Sequence, residues 1–285
     1  MPGVLHIVAT PIGNLDDISQ RAIRTLASVQ LIAAEDTRHS RVLLGHLGID
    51  TPMISCHEHN EEARSARIVE VLEAGGDVAL ISDAGTPLIS DPGYRVVRAV
   101  RAAGYRVSPV PGANSAIAAL SAAGIATTSF HFYGFLPAKK NQRAARLQEL
   151  RAVDGTLVLF ESSHRIKALL SEIAQHFAGR HCVLAKELTK LHERFLDGPA
   201  PLILEQLQAD EALTRGEFVV LIDNAGAGDE ARAGIDEAGL LRVLLDEMPL
   251  KAAVRVAVRI SGGKKNELYQ QALQMRAAGE AKGGD

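Results

Sequence analysis

Only two cysteines, Cys56 and Cys182, occur in the 285 residues. So few and so widely separated, they offer neither a disulfide framework nor a thiolate metal site, and a reducing compartment is expected. No stretch approaches the roughly 20 consecutive apolar residues of a membrane helix. The opening Met-Pro-Gly-Val-Leu-His has no basic or apolar targeting region, so the expectation is a cytoplasmic protein, neither exported nor membrane-spanning. Positive charge is not in excess: 31 Lys and Arg face 34 Asp and Glu, a net charge of -3. Sequence-independent affinity for nucleic acid comes from neutralising phosphates, so any RNA contact must be local. Also missing are the GxxxxGKS/T loop and, after the first strand, the GxGxxG fingerprint, the usual anchors for nucleoside triphosphates and dinucleotides. No internal repeat or long low-complexity tract is present.

What is there is enough apolar residue, 47%, for two α/β domains, each with its own core, plus a small appendage. Short apolar runs at Val4–Ala9, Leu31–Ala34, Pro52–Ser55, Val78–Ile81 and Val107–Val110 read as strands. Helix-length amphipathic segments lie between them, among them 61–74, ending at Gly75-Gly76, and 94–103, ending at Gly104. Strands apolar on both faces and separated by helices imply a mostly parallel, doubly covered sheet. The texture changes after Gly124, where Phe130, Phe132, Tyr133 and Phe135 cluster; these read as core packing ahead of base stacking. Further strands are expected at 156–160, 182–185, 193–196 and 218–222, with helices at 165–177 and 202–208. Asn224–Gly234, rich in Gly, Ala and acidic residues, reads as a linker. Beyond it, three helices at 240–248, 249–260 and 266–275 suggest a helix-turn-helix-like unit. The expected fold is α/β, two αβα domains (1–124 and 125–224) plus a small helical C-terminal unit (235–285).

In an open parallel sheet, ligands bind outside the carboxyl ends of strands. The loops at those positions are Thr10-Pro11-Ile12-Gly13-Asn14, the twelve-residue stretch Ser82–Gly93, and Pro111-Gly112-Ala113-Asn114-Ser115. Asp17 and Gln20 after the first are read as a helix cap. The second is too long and too proline-stiffened for an ordinary turn; its Asp83, Ser90 and Asp91 can accept from hydroxyls or amines. The third precedes an apolar helix whose first amides are free to hold a polar ligand edge.

Seven segments fall in order across residues 5–190: LHIVATPIGNL, AAEDTRHS, ISDAGTPLISDPGY, PGANSA, YGFLPAK, LFESSHR and AKELTK, followed by KKNELY at 264–269. Together they resemble the small-subunit ribosomal RNA methyltransferase I family, a branch of the tetrapyrrole-methylase-like S-adenosylmethionine-dependent methyltransferases. The resemblance spans nearly the whole chain, and the twelve-residue loop is its most diagnostic piece. It implies a homodimer of two-domain subunits that binds S-adenosylmethionine between the domains. The implied reaction is methylation of the ribose 2′-oxygen of a cytidine in the decoding region of 16S rRNA, so the small ribosomal subunit or its 16S rRNA is the partner. It further implies a cofactor cleft lined by Pro11, Gly13, Asp83, Ala84, Gly85, Leu88, Asn114, Ser115, Glu161 and Leu188. Small residues are also expected at position 114 in relatives, a difference that a backbone contact tolerates.

Methyl transfer from a sulfonium is an in-line displacement in which the protein mainly aligns the partners. No metal is required. A ribose hydroxyl is a poor nucleophile, so a base or an alkoxide-stabilising cation should help, the base typically by about 10²- to 10⁴-fold. Candidates near strand ends are Asp36, Glu161, Lys186 and Glu187; Asp36 lies beside Arg38, a phosphate-contact candidate, and fits a helix N-cap equally well. In Cys56-His57-Glu58-His59 the two histidines would share one face of a strand, but the spacing is no zinc pattern and a loop or cleft wall is the expected setting. Ser162-Ser163-His164 lacks a nucleophile elbow and reads as a cap for the next helix. Basic residues cluster at Lys139, Lys140, Arg143 and Arg146 and again at Lys251, Arg255, Arg259, Lys264 and Lys265, either as solvated faces or as RNA contacts. The alternatives left open are a methyltransferase of the same fold acting on a tetrapyrrole or a modified protein side chain, a non-catalytic ribosome-assembly factor that binds RNA, and a dinucleotide oxidoreductase.

Overall fold

The computed structural model describes residues 2–224, 237–261 and 263–280. In the first part, β1 (Val4–Val8), α1 (Gln20–Ser28), β2 (Leu31–Ala34), α2 (Thr37–His46), β3 (Met53–Ser55), α3 (Glu61–Glu73), β4 (Val78–Ile81), α4 (Tyr94–Ala102) and β5 (Arg106–Val110) alternate. The strands form one all-parallel sheet in the order β3-β2-β4-β1-β5. Strand side chains alternate between faces. Ile32, Ala34, Ala79 and Ile81 therefore pack with Leu26 of α1 and Leu44 of α2, while Leu31, Ala33, Val78 and Leu80 pack with Ile68 of α3 and Val96 of α4. That two-sided burial explains the continuous apolar runs.

Helix α5 (Ser115–Ala122) follows β5 in sequence but packs on the second sheet, where Ala116, Ala119 and Leu120 meet Val158, Val183 and Val219. That sheet comprises β6 (Phe130–Phe135), β7 (Thr156–Ser162), β8 (His181–Lys186), β9 (Arg194–Pro199) and β10 (Glu217–Ile222), in the order β6-β7-β10-β8-β9. Only β6 and β7 run parallel; the remaining pairs are antiparallel. Helices α6 (Lys140–Leu150), α7 (Ile166–His176) and α8 (Ala200–Ala209) cover the face opposite α5. The clustered aromatics serve packing in part: Phe132 and Phe160 meet edge to face at 4.9 Å between ring centres. Three further helices, α9 (Glu237–Glu247), α10 (Leu250–Ser261) and α11 (Lys265–Glu280), enclose a small core of their own around Leu241, Val254, Ala257 and Leu268. Among the described residues no helix is long and apolar enough to cross a membrane.

Several local expectations are corrected. Ser19, not Asp17, caps α1, its hydroxyl accepting from the Ala22 amide. The loop reading of His57 and His59 holds: both lie after β3, which ends at Ser55, with their rings 6.1 Å apart. No serine side chain caps α7; its N-cap residue is Arg165. Asn224 is buried rather than part of a linker, donating its amide to the carbonyls of Leu150, Arg151 and Val153. The rest of the expected linker, and the Gly- and Ala-rich extreme C-terminus, lie outside the described residues. Arg143 is withdrawn from any RNA-facing surface: it is buried against Glu172 of α7 through two hydrogen bonds of 2.7 and 2.8 Å.

Candidate functional site

Neighbouring strands β4, β1 and β5 end side by side, so their three following loops form one wall. Backbone bonds in both directions join Thr10 to Gly85, at 2.9 and 3.0 Å, and the Thr86 hydroxyl donates to the Ala113 carbonyl. Opposite stand the end of β7 and the starts of β10 and the loop after β8. Between the two walls lies a cavity of about 460 Å³. The first domain contributes Ile12, Ala84, Gly85, Ser90, Asp91, Asn114 and Ser115, and the second contributes Phe135, Phe160, Glu161, Ser162, Leu188 and residues 216–219.

Backbone strain concentrates at this boundary. All four non-glycine residues with positive φ among the described residues are Leu88 and Ser90 in one loop and Glu187 and Thr189 in the other. Such conformations cost of order 1–3 kcal/mol each and persist only where surrounding structure enforces them, typically at ligand clamps. The enforcement is visible at Ser90, which occupies the space a side chain on Gly134 of β6 would need. Gly13 approaches the other domain closely as well: a Cβ there would lie 3.1 Å from the Leu188 carbonyl oxygen. At the end of the long loop, buried Glu61 accepts from the amides of Gly93 and Arg95 and so caps α4.

The structure brings together six of the ten residues expected to line the cofactor cleft. Ala84, Gly85, Asn114, Ser115, Glu161 and Leu188 line the cavity. Asn114 has a capping role besides, its side chain accepting from the Ile117 amide at the start of α5. Pro11 sits just behind Ile12, outside the lining, and Leu88 turns into the core under α3 and α4. Asp83 faces the end of β2 instead, accepting from the Asp36 amide at 3.1 Å while its own amide donates to Glu35.

Of the proton-handling candidates, Glu161 alone lines the cavity. Its Oε1 accepts from the Ser162 amide, and its buried Oε2 has no hydrogen bond although the Arg165 guanidinium stands 3.1 Å away. Asp36 caps α2 and is clamped to Arg38 through bonds of 2.7 to 3.1 Å, which hold its carboxyl well below the usual range. Arg38 is thereby engaged by a carboxylate. Glu187 accepts from the Glu217 amide and from Lys190 Nζ. Burial pushes its carboxyl up, but those donors outweigh it and leave it below its ordinary value. Lys186 is buried, stands opposite Arg194 and Phe218 in the sheet, and lies outside the lining.

Two carboxylates join Glu161 in the cavity wall, Asp91 and Glu217, and Glu217 is paired with Lys190 at 2.7 Å. Burial pushes Asp91 up to about 6; the Ser82 hydroxyl works against that shift, and the charges of Glu35 and Asp83 add to it. Glu35 is itself raised, chiefly by burial. The sequence identified Asp91 only as an acceptor within a distinctive loop. Nothing in the sequence pointed to residues 216–219, because it is sheet order that places β10 beside β7. No group of three or more His, Cys, Asp or Glu side chains suited to a metal ion exists among the described residues.

Residues 4–203 match the family model described as Tetrapyrrole (Corrin/Porphyrin) Methylases, and residues 233–276 match one described as RsmI C-terminal HTH domain. Ribosomal RNA small subunit methyltransferase I of Pseudomonas aeruginosa is 50% identical over 95% of this chain and 97% of its own. The protein of the same name from Xylella fastidiosa strain Temecula1 is 48% identical over 94% and 98%. Among solved structures, uroporphyrin-III C-methyltransferase from Thermus thermophilus complexed with S-adenyl homocysteine matches with a TM-score of 0.56 at 17% identity, covering 78% of this chain and 98% of that one; that likeness speaks to the fold alone. With two relatives near half identity over almost full length, and a family model matched from β1 into α8, this chain belongs to the tetrapyrrole methylases, within the family of the ribosomal RNA small subunit methyltransferases I.

Proposed function

We propose that this protein is an S-adenosylmethionine-dependent rRNA methyltransferase that methylates the ribose 2′-oxygen of a cytidine in the decoding region of 16S rRNA, within the small subunit or as free rRNA. The observation that carries the reading is the cavity itself, built from the strained loops of both domains in a chain so similar to enzymes of that name.

The residues present fit the cofactor. A volume of about 460 Å³ lies within the usual range for small-molecule sites. Its walls combine apolar faces from Ile12, Phe160, Leu188 and Val219 with the carboxylates of Asp91, Glu161 and Glu217, and no Lys or Arg lines it. That donor set suits a ligand with cationic and hydroxyl groups better than a polyphosphate. Glu161 Oε2 has the Arg165 guanidinium 3.1 Å away but no hydrogen bond of its own, which leaves it lone-pair capacity for such a group. Ala84, Gly85, Asn114, Ser115, Glu161 and Leu188 would hold S-adenosylmethionine, with Gly13 keeping the two walls close and Pro11, Asp83 and Leu88 supporting the loops from behind. When bound, the cofactor supplies a methyl group already activated on a sulfonium.

The chain then has three tasks: align the ribose hydroxyl, exclude water and receive a proton. Asp91 Oδ is the acceptor we assign for the proton that the 2′-hydroxyl loses, because it faces the cavity and its partial burial favours the protonated product form. Asp36, Lys186 and Glu187 act at a distance, by positioning the chain at strand ends. The protein works in the cytoplasm, where its substrate is, and as a homodimer; exposed Leu191 and Ile117, near the two walls, support an apolar contact between copies.

The test is transfer of labelled methyl from S-adenosylmethionine to small ribosomal subunits that lack this modification, with the product nucleoside identified by mass. We expect 2′-O-methylcytidine. Cofactor binding without transfer would instead favour a tetrapyrrole or protein side chain as substrate, and absence of both would favour a non-catalytic RNA-binding factor.

A further inference from the structure

The C-terminal unit carries a groove that the cleft chemistry does not use. Lys251, Arg255 and Arg259 stand four residues apart on α10, so they follow one side of the helix at intervals of about 6 Å. Lys265 and Tyr269 of α11 face them, and together with Val254 and Val258 they enclose about 530 Å³. The other side of α10 is spent on the core, where Leu250, Ala253, Ala257 and Ser261 are buried, and Val254 is buried beneath the groove. The groove is therefore not a site whose cations hold the bundle together.

None of the four cations has an ion-pair partner among the described residues, although Lys264 next to them is paired with Glu267 at 3.1 Å. Concentrating unpaired positive charge in one place is notable in a chain whose net charge is -3. Four like charges around one groove repel one another, so the arrangement favours a polyanionic occupant. The apolar floor is recessed, with Val254 2% exposed, which does not suit insertion into a lipid surface. Tyr269 is half-buried and presents part of its ring to the groove, as a base-stacking surface would.

We propose that this groove binds an RNA strand, its phosphates along Lys251, Arg255 and Arg259 and one unpaired base against Tyr269, with Lys265 closing the far side. The proposal rests on the rRNA reading above and adds where the substrate is held outside the cleft. The cations supply affinity without sequence discrimination, and the ring supplies a preference for unpaired nucleotides.

The experiment uses the full-length protein and a fluorescein-labelled small-subunit rRNA fragment, with anisotropy read across a salt series. In the triple variant Lys251→Gln, Arg255→Gln, Arg259→Gln, three phosphate contacts are lost. The slope of log Kd against log salt should fall by about 2, at about 0.7 per contact on a single strand. KM for RNA should rise while kcat and cofactor affinity stay at wild-type values. Tyr269→Leu keeps an apolar side chain against the bundle core and should weaken RNA binding about tenfold with the slope unchanged, as expected for lost stacking. Wild-type affinity and slope in a triple variant that melts at the wild-type temperature would overturn the proposal. So would equal affinity of the wild-type groove for polyglutamate, which would identify an acidic protein as the occupant. If the triple variant loses RNA affinity although the wild type transfers no methyl to rRNA, the groove stands and the rRNA methylation reading falls.

Discussion

Asp91 is a carboxylate placed where charge is disfavoured, between a partly closed cavity and two other acids, Glu35 and Asp83. Its pKa of about 6 makes a pH signature expected. As a base it works only when ionised, so single-turnover methyl transfer should rise with pH through about 6 and then level off. Asp91→Asn should lower that rate, measured at saturating cofactor, by about 10²- to 10⁴-fold. An unchanged rate would remove Asp91 from the chemistry. The same shift acts on stability with a definite sign. The folded-state pKa lies above the unfolded value, so the folded chain binds more protons, and the associated stability is present below the unfolded pKa and lost as pH rises through about 6. Asp91→Asn should therefore raise the melting temperature at pH 7 more than at pH 4, which differential scanning calorimetry can read.

At the scale of elements, the second domain depends on the joint between α6 and α7. Arg143 and Glu172 are both buried, hydrogen-bonded in two places, and Arg143 also donates to the carbonyls of Pro137 and Ala138. Arg143→Ala would leave Glu172 charged and without its partner, a loss expected to cost about 3–5 kcal/mol. Replacing both, Arg143→Met with Glu172→Leu, should recover most of it, since a packed apolar pair avoids the desolvation penalty. Urea unfolding of the two variants checks this; equal destabilisation would mean that the polar pair itself, and not the orphaned charge, is what matters. Helix α5 illustrates another element-scale effect. It closes the third loop of the first domain while its apolar face lies on the second sheet. Binding at its N-terminal end thus touches both domains.

For the whole molecule, two α/β units share one cavity and a helical unit with a separate core follows them. Asn224 ties the end of the second sheet to the carbonyls of Leu150, Arg151 and Val153, so that sheet is complete before the C-terminal unit begins. A protein lacking residues 235–285 should remain folded and bind S-adenosylmethionine with wild-type affinity by calorimetry. Its methylation of rRNA should fall most at limiting RNA concentration. Loss of cofactor binding on truncation would mean that α9–α11 help to build the cavity.

Element positions were legible from sequence because local periodicity reports burial directly: Leu31–Ala34 and Val78–Ile81 are strands as expected, and 61–74 matches α3 to within one residue. The distinctive loops were legible too, since glycine, proline and strand-end position are local signals. Pairing was not. That Arg143 would be consumed by Glu172, that the Asp36 amide would be bonded by Asp83, and that Asp91 would join Glu161 across the cavity all depend on which side chains meet through folding. Sheet order, which places β10 beside β7 and β1 between β4 and β5, depends on contacts between residues far apart in the chain. By itself the sequence determined the fold class, the elements and the loops that bear the site. Tertiary structure decided which titratable groups face the cavity and which are spent on each other, because a side chain's charge and direction answer to neighbours in space that periodicity along the chain does not encode.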